Sequence, residues 1–70
     1  MAGFTETEHL LLWAWAYCDH HDKSTGFMFQ FMEDTSKTDY DTVLDFIEVT
    51  PYSKRKHWYD KNPNWLNENP

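Results

Sequence analysis

From Leu10 to Cys18 every position is apolar or aromatic, and acids bracket the run on both sides. Thr5 followed three residues later by Glu8 fits a capping box, and Glu6 and Glu8 suit the positive end of a helix dipole. The spacing predicts a helix over about 6–21. At about 100° per residue, Leu10, Trp13, Ala14 and Tyr17 share one face, with Leu11 and Cys18 beside it. The opposite face reads Glu8, Leu12, Trp15, Asp19 and Asp22, two large apolar residues among three acids. A helix buries such a second face only if something else covers it.

Asp22 to Gly26 reads as a turn or a helix start, since Ser24 and Thr25 cap well and Gly26 tolerates unusual dihedrals. The alternation Phe27-Met28-Phe29-Gln30-Phe31-Met32 fits a strand with three phenylalanines on one side. No other segment is an obvious strand partner, and an isolated strand is not stable. A short, deeply buried helix over 25–34 is therefore expected, with the strand as the alternative. Thr35 to Thr38 form a polar linker. Thr38 with Asp41 suggests the next cap, and Tyr40, Val43, Leu44 and Ile47 fall at i, i+3, i+4, i+7, predicting a helix over 39–49 with Phe46 and Val49 on neither side. Asp41, Asp45 and Glu48 form a separate acidic stripe. Thr50 as cap and Pro51 at the first helical position predict a fourth helix over 51–60, which Asn62-Pro63 ends. The fold class is thus all-α, a small bundle of three to four short helices. One domain over 1–66 is expected, with a frayed tail at 67–70.

A chain of seventy residues buries only about 60% of its unfolded surface, so its core is marginal. Cys18 is the lone cysteine, which excludes an internal disulfide and points to a reducing, cytoplasmic setting. Aromatic mass compensates: four Trp, four Tyr and five Phe make up 19% of the chain. A core this small cannot bury all of them, so several are expected at the surface. Met1 to Glu6 has no signal-peptide pattern, and the apolar run is short of the ~20 residues of a membrane span.

The net charge of −6 is uneven. Residues 1–50 hold ten acids against Lys23 and Lys37, while Lys54, Arg55, Lys56 and Lys61 outnumber Asp60 and Glu68 in the remainder. An acidic body disfavours nucleic acid and anionic membranes and favours basic partners.

Candidate chemistry is sparse. Cys18, Asp19, His20, His21 and Asp22 place five possible ligands in a row, but a zinc site normally needs a second cluster and none exists. No metal or cofactor is expected. Catalysis is not expected either, since Cys18 with His20 or His21 is the one nucleophile–base pairing and so short a chain leaves little room for a site of ~300 Å³. Lys54, Arg55, Lys56 and Trp58 form a basic–aromatic patch of the kind that contacts phosphates and bases. Asp41, Asp45 and Glu48, with Glu8, Asp19 and Asp22, suggest instead a row of phosphate-like charges.

Trp and Tyr dominate binding hot spots when rimmed by polar groups. Leu12 and Trp15, flanked by Glu8, Asp19 and Asp22, fit that description. The sequence therefore points to a non-catalytic module that binds a protein with a basic or apolar surface, a second copy of itself included, as an inhibitor or adaptor. A nucleic-acid mimic acting through the acidic stripes is the alternative, and a nucleic-acid-contacting module through residues 54–59 the third. In its small size, acidity, aromatic richness and lack of catalytic motifs, the chain resembles the takeover and anti-defence proteins with which phages inhibit host enzymes.

Overall fold

The computed structural model describes residues 3–35 and 38–68. It contains α1 (Glu6–His20), α2 (Gly26–Thr35), α3 (Tyr40–Val49), α4 (Tyr52–Lys61) and a 3₁₀ turn at Trp65–Asn67, with no strand among the described residues. The chain is a small all-α bundle.

Helix α1 starts as its sequence dictates. The Thr5 hydroxyl accepts the Glu8 N–H at 3.1 Å, and the Glu8 carboxylate accepts the Thr5 N–H at 3.0 Å. The helix is then buried almost all round, from Leu10 to Ala16 and at Cys18. An α-helix that is apolar on every side belongs in the middle of a fold. One side (Leu10, Leu11, Ala14, Trp15 and Cys18) packs on Met28 and Met32 of α2 and Val43 of α3. The other side (Leu12, Trp13 and Ala16) packs on Trp58 of α4.

The alternation in α2 resolves into helical geometry. Met28 and Met32, four residues apart, face inward and are wholly buried, while the phenylalanines flank them half-buried. Phe27 and Phe31 stack in a row with Tyr17, and Phe29 stacks on Tyr40 with centroids 4.5 Å apart.

The caps of α3 and α4 differ from the sequence reading. Asp39, not Thr38, caps α3, its carboxylate accepting the Thr42 N–H at 3.1 Å. The hydrogen bonds it accepts from Thr42 hold the Asp39 carboxyl below the usual aspartate range. Thr50 does not open α4; it closes α3 by donating its N–H to the Phe46 carbonyl at 3.0 Å. Pro51 is therefore the N-cap of α4, without a side-chain hydrogen bond. Two residues join these helices, so each can serve only one of them.

The inward side of α3 is also rotated from the expected one. Val43 is buried and Phe46 and Ile47 pack on the core, whereas Tyr40 and Leu44 are exposed. The C-terminal segment returns to α1, where the Trp13 indole N–H donates to the Trp65 carbonyl at 2.9 Å. Of the expected linker and tail, residues 36, 37, 69 and 70 lie outside the described residues; Thr35 completes α2 and Asn67 ends the 3₁₀ turn.

Candidate protein-binding surface

The face of α1 expected to meet a partner is covered from within the chain. Leu12 and Trp15 are buried, at 2% and 9% exposure. The cover is α4 together with α3: the Arg55 guanidinium lies 4.2 Å from the Trp15 ring centroid, and Phe46 meets the same ring edge-on with centroids 6.1 Å apart. Arg55 also pairs with Asp19, and Lys54 Nζ meets Glu8 Oε2 at 2.7 Å. The acidic seam of α1 is thus matched to the basic edge of α4. The hydrogen bond from Lys54, aided by the Thr5 backbone, holds the Glu8 carboxyl below its usual range.

Asp22 is exposed and closes α1 through its backbone. It takes a positive φ of 54° just past the end of α1, and the Lys23 N–H reaches back to the Cys18 carbonyl at 2.8 Å. This is a Schellman closure with aspartate where glycine is usual.

The basic–aromatic patch is dismantled in the same way. Trp58 is fully buried, and its indole N–H donates to His9 Nδ1 at 3.0 Å. Lys54 and Arg55 are engaged as above, and Lys56 pairs with Asp60 along its own helix. Burial pushes the Tyr59 hydroxyl pKa up, partly offset by a hydrogen bond from Arg55. Burial likewise raises the Cys18 thiol. Among the described residues no three His, Cys, Asp or Glu side chains gather as a metal site, and no helix is long and apolar enough to cross a membrane.

The acidic stripe is different. Asp41, Asp45 and Glu48 are all exposed, and none has an ion pair among the described residues. Helical geometry places them on the middle of the outward side of α3. Tyr40 and Leu44 form one shoulder, 63% and 37% exposed, and Val49 stands on the other at 65%. Tyr52, just across the Thr50–Pro51 corner, is equally bare. These apolar shoulders are the functional candidates that the sequence reading missed. Val43, Phe46, Ile47 and Thr50 follow the same i, i+3, i+4, i+7 spacing as the series chosen, and the bulk of Phe46 was the signal favouring them as the inward side.

A surface cleft of about 320 Å³ adjoins the second shoulder, between the start of α1, α3 and the Thr50–Pro51 corner. Leu11, Phe46, Val49 and Pro51 provide apolar lining; Glu8, Asp45 and Lys54 provide its charges. A concave site of ~300 Å³, not expected in so short a chain, is therefore present. Compared with known protein families, curated proteins and solved structures, the chain matches none.

Proposed function

We propose that the chain is a small acidic protein-binding module that acts by contact rather than catalysis, inhibiting or adapting a partner with a basic surface. The contact surface is the outer side of α3. The observation that supports this reading is the combination on one helix of three exposed acids without ion pairs among the described residues, Asp41, Asp45 and Glu48, with exposed Tyr40, Leu44 and Val49 beside them. Charge speeds and orients association with a basic partner, while the apolar shoulders supply area that excludes water. Of the acids singled out on α1, Glu8 and Asp19 have internal uses, meeting Lys54 and Arg55.

That distribution weakens support for the alternatives. A phosphate mimic built on two helices loses Glu8 and Asp19 to ion pairs, leaving Asp22 apart from the three acids of α3. A nucleic-acid contact through residues 54–59 would have to use Lys54, Arg55 and a buried Trp58, all of which already have partners inside the fold.

Affinity capture from a lysate of the source organism tests the proposal with three forms of the chain. Wild type and a Glu33→Lys, Asp34→Lys control, altered on α2, should retain the same basic protein. The Asp41→Lys, Asp45→Lys form should lose it. Loss with the α2 control as well, or retention by the α3 variant, would reject α3 as the contact surface.

A further inference from the structure

We infer that the cleft beside α3 is a socket for one arginine side chain of the partner polypeptide. This rests on the reading of α3 as the surface for a basic protein, and it names the group that would anchor that protein.

The charges of the cleft select the occupant. Its described lining holds two carboxylates and one ammonium. The ammonium of Lys54 is bonded to Glu8 at 2.7 Å, which leaves Asp45 without an ion pair among the described residues. One carboxylate is therefore unmatched, and one monocation would neutralise it. An anion would meet Asp45 with no free cation to receive it. A purely apolar group would strip water from Asp45 without replacing its hydrogen bonds, which is unfavourable.

The remaining lining distinguishes among cations. Leu11, Phe46, Val49 and Pro51 suit a long aliphatic stem and the flat, weakly hydrated faces of a guanidinium better than a strongly hydrated ammonium. Thr7 and Thr50 add hydroxyl oxygens to the lining, and the five donors of a guanidinium can address these as well as a carboxylate. Asp45 and Val49 also belong to the outer side of α3. A chain lying along that helix would thus pass the mouth of the cleft and could insert one side chain there.

The test uses the whole ¹⁵N-labelled protein and acetyl-arginine-methylamide as probe, with the neutral citrulline compound as its isosteric control. The arginine probe should move the amide resonances of Leu11, Phe46, Val49 and Thr50 saturably in the millimolar range. Citrulline should not, and Asp45→Asn should weaken the arginine probe about fivefold, the upper range for one exposed ion pair. Equal shifts with citrulline, shifts confined to other acidic positions, or no saturable change would each overturn the socket. If the probe leaves the cleft untouched while Asp41→Lys, Asp45→Lys still abolishes partner capture, the socket is wrong and the role of α3 stands. If the probe binds in the cleft while that variant keeps its partner, the role of α3 fails and the socket stands.

Discussion

The Arg55 guanidinium of α4 lies over the Trp15 ring, 4.2 Å from its centroid, while Phe46 of α3 meets the same ring edge-on. Trp15 is therefore a core residue, and Trp15→Ala should cost about 3–5 kcal/mol, comparable to Trp13→Ala. Arg55→Met keeps most of the stem but removes the cation and its pairing with Asp19; about 1–2 kcal/mol should be lost. Urea unfolding of the three variants measures both. An unchanged midpoint for Arg55→Met would mean that the cation contributes nothing to the cover.

Periodicity made much of this fold legible, because α1 and α3 carry their own start signals and apolar spacing. It failed where a residue's surroundings are set by a distant segment. The face of Leu12 and Trp15 looks solvent-directed until α3 and α4 are laid upon it, and α4 announces itself weakly, with Trp58 as its one fully buried side chain. Cations beside aromatics read equally well as a ligand-contacting patch or as an internal seam, and here Lys54 and Arg55 form the seam. The misplaced α3 cap has a local cause: Thr38 with Asp41 resembles a capping box, but that box uses the longer Glu or Gln. Asp39 instead reaches Thr42 directly. The acidic stripe was legible because no ion pair among the described residues claims it.

The hydrogen bond from the Trp58 indole to His9 Nδ1 supports the α1–α4 packing. His9→Ala leaves a fully buried N–H without its partner and should cost about 1–3 kcal/mol. In a Trp58→Phe background, which has no indole N–H, the same change should cost clearly less. Denaturation of the four proteins in a double-mutant cycle gives the coupling; a value near zero would show that the bond contributes nothing.

Asp22 holds a left-handed conformation that glycine adopts more easily. Asp22→Gly should therefore raise stability by about 0.5–1 kcal/mol while leaving partner binding intact. Thermal melting and partner affinity measure the two halves. Destabilisation would mean that the Asp22 side chain contributes more than its backbone strain costs.

The Glu8–Lys54 pair gives a pH dependence. The folded-state pKa of Glu8 is lowered, so its contribution is fully present above the unfolded value, ~4.3, and is lost as pH falls through the folded value. Partial exposure and salt screening limit it to about 1 kcal/mol or less. Glu8→Gln should flatten the acid limb of the stability–pH curve below about pH 5. An acid limb identical to that of the wild type would show that another carboxylate governs it.

The role of α3 is tested most directly by the affinity of the captured partner for the Asp41→Lys, Asp45→Lys chain, measured by isothermal titration calorimetry with thermal melting as the check on folding. The expected result is a loss of about 100-fold or more, roughly 2.7 kcal/mol, at an essentially unchanged melting temperature. An affinity within about threefold of the wild type, under 1 kcal/mol, would contradict it.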